Sequence, residues 1–350
     1  RSLPLALVLA GLVGRVAAYR DAWVHLSRSF PPLPSWTAAG AVTASVVLAG
    51  VIQQAFAGYA ASPHLWDASN HSFMVLRIAR TGSLDPQLVF GPPWSAPPQT
   101  YLMGWHAGAA LVARATGTPA YVSAWYLAGL GAALAPVMLT LFWRAVGLRP
   151  LLIFGAVWFV AANFFVPTGI FAWGGFGQII GLTVLPAVVV VLRAHVVRPS
   201  RAAGVVGALL LVALLHVHAS EVFLAPLLLA VAWPPRDQRA PVREVLARSA
   251  LPVLVLVLAG VLPLLGTAAE YGRLAGGENL PPPPGWSVVL REFRIYAGGN
   301  VPVLQHLVLP AVVVGLLLRR TRRVAVAALL LGLLYVGLRQ VQDPVSLLLG

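Results

Sequence analysis

"PAYVSAWYLAGLGAALAPVMLTLFW", residues 119–143, decides the fold class, because this run of 25 residues contains no charged side chain. An α-helix needs about 20 apolar residues to cross a bilayer. The chain has 350 residues, of which 59% are hydrophobic and 10% are charged, whereas soluble domains carry about 25% charged residues. This composition argues against a soluble domain and predicts an all-α fold, a polytopic transmembrane helical bundle.

Similar apolar runs recur along the chain and predict about ten membrane spans in a single domain that covers residues 1–350. The predicted spans are Leu3–Ala18, Trp36–Ala57, Pro119–Trp143, Pro150–Val166, Gln178–Val197, Ala202–Val217, Val222–Trp233, Leu251–Thr267, Val303–Leu318 and Val324–Leu338. Because the sequence starts at Arg1 rather than at methionine and ends in an apolar run, we expect it to be a segment of a longer protein.

The net charge of +14 comes from arginine alone, since the sequence contains no lysine. Most of the arginines lie in short loops between apolar runs, which is typical of cytoplasmic loops rather than of a nucleic-acid-binding surface. We therefore expect a multi-pass protein of the plasma (inner) membrane, with membrane lipids and no nucleic acid as partners. The absence of cysteine excludes disulfides and cysteine-based zinc sites.

The arginine loops agree on one orientation if the short apolar segment Tyr101–Ala115 stays at the outer face of the membrane. If that segment crossed, every loop from Arg144 onward would lie opposite the N-terminal arginines. The first arrangement predicts two long extracytoplasmic loops, residues 58–118 and residues 268–302. It also places Pro167–Gly177 outside.

The first long loop contains an amphipathic pattern over Ser62–Thr81, which predicts an interfacial helix that Gly82 ends. Asp67 and His71 fall on one stripe of this helix, four residues apart. Two interpretations of Asp67 remain open. It is either a charge that the helix dipole stabilises near the N-terminus, or a functional group.

Other polar residues stand out against apolar sequence. Trp105 and His106 lie together in the first loop, and His218 and Glu221 are three apart, so they share a helical face. A carboxylate at membrane depth usually faces a cavity or a partner, although a bridge that pins two helices is an equal alternative here. The apolar segments on either side of Glu221 are each too short for a comfortable span, which is consistent with one long helix or with a broken pair near the outer surface. The types of His71, His106, His218 and Glu221 would suit a divalent cation.

The glycine-rich stretch "WGGFGQIIG", residues 173–181, is not a phosphate-binding loop, because no strand precedes it and no Lys-Ser/Thr pair follows. We expect its glycines to allow a close backbone approach at the start of a helix. Gln178 is then a candidate polar contact.

The order of "IARTGSLDP", "PPQTYLMGWHAGAALVARATG", "WRAVGL", "FVPTGIFAWGGFGQIIGLTVLP" and "LLHVHASEVF" resembles the GT-C superfamily of membrane glycosyltransferases. The resemblance is closest to a family of actinobacterial multi-pass membrane proteins related to that superfamily, and it covers roughly Trp36 to Trp233. It implies transfer of a sugar from a polyprenyl-phosphate donor to an envelope glycan or lipid acceptor. Asp67 matches the acidic residue that serves as the base.

Two departures accompany this resemblance. The long loop follows the second predicted span rather than the first, and "PTGIFAWGGFG" lacks the further acidic residues that superfamily members often carry. The second departure puts metal-dependent chemistry in doubt.

The implied reaction is chemically sensible, because a positioned carboxylate can accept the proton of an attacking hydroxyl. Arginine suits the phosphate leaving group. Besides Asp67, the candidate substrate-binding residues are His71, Arg77, Trp105, His106, Gln178, His218, Glu221, Arg291 and Arg294. Two other functions stay open. One is a transporter or flippase of lipid-linked envelope precursors, with Glu221, His216 and His218 along its path, and the other is a non-catalytic scaffold with the GT-C fold.

Overall fold

The structure is a computed structural model that describes residues 30, 32–57, 66–90, 103–162, 170, 174–263, 265, 287, 302–318, 321–326 and 328–330. These residues form helices and the turns between them, and no β-strand occurs among them. The predicted all-α fold is therefore confirmed.

The α-helices in chain order are α1 Ser35–Ala57, α2 Trp66–Thr81, α3 Pro86–Phe90, α4 Gly104–Thr116, α5 Ala120–Val146, α6 Pro150–Ala162, α7 Phe176–Val197, α8 Arg201–Val217, α9 Ala225–Val231, α10 Val242–Leu256 and α11 Pro302–Leu317. Short 3₁₀ helices cover Ala219–Leu224 and Arg236–Gln238, and α10 continues as a π-helix over Val257–Val261.

Within the described residues, four helices are long and apolar enough to cross a membrane, which indicates a membrane protein. They are Ser35–Gln54 within α1, α5, α7 and the continuous helix Val242–Val261. The apolar helices α6 and α8 are shorter. The predicted span Leu3–Ala18 lies outside the described residues, and so does most of Val324–Leu338.

Two of the predicted spans have different boundaries in the structure. Val222–Trp233 is broken, since a 3₁₀ helix ends at Leu224 and only Ala225–Val231 is α-helical. Such a short helix rises about 10 Å, which is too little to cross a bilayer. Pro226 explains the break, because proline has no N–H and is best tolerated in the first turn of a new helix.

The span predicted at Leu251–Thr267 starts earlier, at Val242. Its first turns carry Arg243, Glu244 and Arg248, which the sequence pattern had assigned to a loop. Pro241 immediately precedes this helix, so the chain turns at the proline and the charged residues extend the helix beyond its apolar part.

One end of the bundle, the arginine end, is held together around Phe30. Arg144 donates an Nη2 hydrogen bond to the Phe30 carbonyl at 3.1 Å, and the guanidinium of Arg193 lies 5.3 Å from the centre of the Phe30 ring. Arg193 also donates from Nε to the carbonyl of Ala232 at 2.8 Å. The ends of α5, α7 and α9 therefore meet at one end of the molecule, because these residues lie at or just beyond their last turns.

The opposite end, the histidine end, contains the first turns of α5 and α7, where the rings of Trp125 and Phe176 are 5.6 Å apart. Gly104, the first residue of α4, lies against His216 in the last turn of α8. Thr118, just after α4, forms a 2.6 Å hydrogen bond with Ser123 of α5. Both ends of α4 thus lie at the histidine end, as expected for a segment that stays on one face. Which face that is remains a prediction.

Single-cysteine labelling tests this orientation, because the chain has no cysteine of its own. Ala115 in α4 and Arg149 between α5 and α6 are both exposed. We expect a membrane-impermeant maleimide to label Ala115→Cys in intact cells and Arg149→Cys only after permeabilisation, because cytoplasmic loops carry the arginines. Labelling of Arg149→Cys in intact cells would contradict this orientation.

Candidate functional site

The helix that carries Asp67, α2, is amphipathic as predicted. Met74, Val75 and Ile78 are buried on its inner side. Gly82 ends the helix with φ 69°, and its N–H donates to the Ile78 carbonyl at 2.8 Å. The predicted cap Ser62 lies outside the described residues. Asp67 lies in the first described turn of α2, where the structure describes its backbone only.

The glycine-rich loop before α7 touches the backbone of α2 next to Asp67. Gly174 has φ 99°, and a Cβ atom placed on it would lie 2.4 Å from the backbone nitrogen of Ala68. Only glycine permits so close an approach. The predicted close approach at a helix start is therefore confirmed, although no sequence pattern indicated that α2 would be the partner.

His71, one turn after Asp67, pairs with His106 on α4. The distance from His71 Nδ1 to His106 Nε2 is 2.8 Å, so one nitrogen donates and the other accepts. His106 therefore lies beside the helix that carries Asp67. His106 is buried, whereas His71 is only half-buried, so His71 is the member of the pair that is nearer to the surface.

Aromatic rings hold His71 in place. The His71 ring lies 5.4 Å from the ring of Trp105 and 6.1 Å from that of Phe176, and the latter two are 5.7 Å apart. Trp105 and Phe176 are both buried. Trp105 is therefore placed to position His71 rather than to stack on a ligand. Sequence reasoning missed Phe176, whose only signal is its place directly after the paired glycines.

A second polar pair lies on the other side of the first turn of α7. His218 Nδ1 contacts Glu221 Oε2, which confirms that these residues share a face, and the Glu221 side chain is buried. A Cβ on Gly181 would lie 3.2 Å from Glu221 Oε2, and one on Gly177 would lie 3.7 Å from His218 Cδ2. The glycines of α7 therefore make room for this pair, while Phe176 contacts the His71 pair.

The suggested four-residue metal site is not assembled. His71, His106, His218 and Glu221 form two pairs, and the described part of the chain holds no cluster of three or more His, Asp or Glu residues suited to a metal ion.

The remaining candidates differ in their surroundings. Arg77 directs Nε and Nη2 to the Leu88 carbonyl, at 3.1 and 2.8 Å, and so ties α2 to α3. Gln178 is half-buried in the first turn of α7. Arg291 and Arg294 lie outside the described residues.

His216, a residue of the transporter hypothesis, donates from Nε2 to the Ala259 carbonyl at 2.8 Å, within the π-helix.

His106 is neutral near pH 7. Burial, and secondarily the neighbouring His71, hold the pKa of His106 well below its usual 6.5. The helix that carries it, α4, is not among the four candidate spans. A neutral imidazole donates one hydrogen bond and accepts another, so His106 can fix the orientation of His71 without adding charge.

The lowered pKa of His106 predicts acid sensitivity. Because the folded-state pKa lies below the unfolded value, this contribution to stability is complete above about pH 6.5 and is lost as the pH falls below it, by at most about 1.4 kcal/mol per pH unit. His106→Gln should reduce the slope of unfolding temperature against pH between about pH 6.5 and 5. His306→Gln, an exposed position in α11, is the control, and an unchanged slope in His106→Gln would contradict the assignment.

The close approach of Gly174 predicts a large effect of a single methyl group. Gly174→Ala places a Cβ against the Ala68 nitrogen at positive φ, and we expect it to destabilise the protein by at least about 2 kcal/mol. Gly50→Ala in α1 is the control, because no atom lies within 4 Å of its added Cβ and alanine favours the helix by about 1 kcal/mol. Thermal unfolding in detergent measures both. Equal melting temperatures would contradict the Gly174 contact.

No curated protein and no solved structure matches the chain. A family model described as "Family of unknown function (DUF6541)" matches residues 2–350, so the chain belongs to this family.

Proposed function

We propose that this protein is a multi-pass glycosyltransferase of the plasma membrane. It moves a sugar from a polyprenyl-phosphate donor to an envelope glycan or lipid acceptor at the outer face, with the histidine end as the site. One observation carries the proposal. The backbone contact between Gly174 and Ala68 brings the helix of Asp67 against the glycine-rich loop, and both segments belong to the motif order that resembles the GT-C superfamily.

The grouping of polar residues supports the same conclusion. His71 and His106 on one side of α7, and His218 and Glu221 on the other, come from segments far apart in the sequence. Polar side chains are costly in apolar surroundings unless they are paired or functional. Two such pairs around one helix start support a polar binding site at this end of the bundle.

In the proposed reaction the Asp67 carboxylate accepts the proton of the acceptor hydroxyl. The hydroxyl oxygen forms a bond to the anomeric carbon as the bond from that carbon to the phosphate oxygen breaks. The electron pair leaves with the polyprenyl phosphate. Arg291 and Arg294 are the proposed contacts of the departing phosphate, because bidentate arginine contacts stabilise such charge. A divalent cation would be an alternative source of positive charge.

His71 is the proposed hydrogen-bonding partner of a sugar hydroxyl. It is half-buried, and His106, Trp105 and Phe176 fix its ring. Fixed polar groups contribute more to transfer than mobile ones, because no reorganisation is needed when the reaction occurs.

A second candidate, a transporter or flippase of lipid-linked precursors, is favoured by the break between α8 and α9. There, a 3₁₀ helix places the buried Glu221 between two helices. Broken helices with buried ionisable residues are typical of transporter substrate sites. A non-catalytic scaffold of the same fold is the remaining alternative.

Asp67→Asn tests the first candidate. We expect membranes that contain this variant to lose at least about a hundredfold in transfer from radiolabelled polyprenyl-phosphate sugars, because the amide cannot accept the proton. Asp237→Asn, an exposed position at the arginine end, is the matched control and should retain wild-type transfer.

Equal transfer by wild type and Asp67→Asn would refute the role of Asp67 as the base. If neither transfers sugar, donor movement across vesicle membranes distinguishes the other two candidates. Movement that Glu221→Gln abolishes would indicate the transporter, and no movement in any variant would indicate the scaffold.

A further inference from the structure

A groove of about 430 Å³ opens at the arginine end, away from the proposed reaction site. One wall is α9, with Leu227 and Val231. The other is formed by the helical residues 322–326 and 328–330, which contribute Arg322, Arg323, Val326 and Leu330.

The groove changes from polar to apolar along its length. Since α9 runs towards the arginine end, Leu227 lies one turn deeper than Val231. The opposite wall runs the other way, because Arg323 at its start reaches the carbonyl of Trp233 just beyond α9. Leu330 therefore lies about 10 Å deeper than the two arginines. Charge at the mouth and hydrocarbon below it match the two parts of a phospholipid.

Backbone carbonyls hold the two guanidinium groups at the mouth in place, and no carboxylate among the described residues pairs with them. Arg322 donates from Nε to the Leu316 carbonyl at 2.9 Å, and Arg323 donates from Nη1 to the Trp233 carbonyl at 3.3 Å. Within the described parts of the chain, the one ion pair is His218 with Glu221, at the other end of the molecule. Carbonyl contacts restrain a guanidinium without cancelling its charge, so both arginines can still bind an anion at this mouth.

We infer that this groove binds an anionic phospholipid, with the phosphate at Arg322 and Arg323 and an acyl chain along Leu227, Val326 and Leu330. Arginine clusters at the cytoplasmic ends of membrane helices attract anionic headgroups. The apolar walls favour a lipid over a free phosphate. An acyl chain that covers these walls displaces water from apolar surface, which is favourable, whereas a free phosphate leaves them in contact with water. This site is independent of the proposed transferase site.

Native mass spectrometry of the full chain in detergent, titrated with phosphatidylglycerol or phosphatidylcholine, tests the inference. Wild type should bind phosphatidylglycerol in preference to phosphatidylcholine, and the double variant Arg322→Gln/Arg323→Gln should bind phosphatidylglycerol roughly 30-fold more weakly. Arg149→Gln/Arg201→Gln is the control, since it removes the same charge from exposed positions at the same end and should retain the preference.

Val326→Trp tests the apolar part, because it fills the groove without changing charge, and it should weaken the binding of both lipids. Three results would overturn the inference. They are equal phosphatidylglycerol binding by the two double variants, unchanged binding by Val326→Trp, and displacement of phosphatidylglycerol by an equal concentration of inorganic phosphate. The last result would assign the mouth to a soluble anion.

Discussion

The histidine end depends on how closely the start of α7 can approach its neighbours. Gly174 lies against the backbone of Ala68, Gly177 against the carbonyl of Val217, and Gly181 against the carboxylate of Glu221. A Cβ at Gly174 would overlap the backbone of α2, and a Cβ at Gly177 or Gly181 would require Val217 or Glu221 to shift by a few tenths of an ångström. With the glycines in place, Phe176 can enter the ring cluster around His71, and two polar pairs lie beside one helix start.

The two ends of the bundle stabilise different kinds of polar groups. At the arginine end, the guanidinium groups of Arg144 and Arg193 both lie over the Phe30 ring. Arg144 donates to the Phe30 carbonyl, and Arg193 donates to the Ala232 carbonyl. Both interactions stabilise a cation without a carboxylate. At the histidine end, the neutral His106 orients His71, and Glu221 is paired with His218. Cations at one end are thus held by rings and carbonyls, whereas each polar pair at the other end has one buried member, His106 or Glu221.

Local patterns in the sequence predicted local structure well. The stripe on α2, the end of that helix at Gly82, the shared face of His218 and Glu221, and the close backbone approach of the glycine-rich loop all follow from helical spacing and backbone sterics.

Long-range features could not be predicted in the same way. Nothing in the periodicity of α7 shows that Gly174 would meet Ala68, because the partner of a close contact depends on how distant helices pack. The position of the break at Leu224 was not predicted, because hydropathy does not respond to the backbone preference of Pro226. The early start of α10 was missed because its first turns are charged, although charged residues are good helix formers.

The arrangement of the histidine end depends on the contact of α2 with α4 through His71 and His106. Cross-linking of His71→Cys/His106→Cys with a short bifunctional thiol reagent measures this directly, since the chain has no other cysteine and cross-linked peptides can be identified by mass spectrometry. We predict a cross-link in this variant and none in His71→Cys/His195→Cys, whose second position hydrogen-bonds Ser249 at the arginine end. Absence of the first cross-link, or equal yields from both variants, would contradict the assembly.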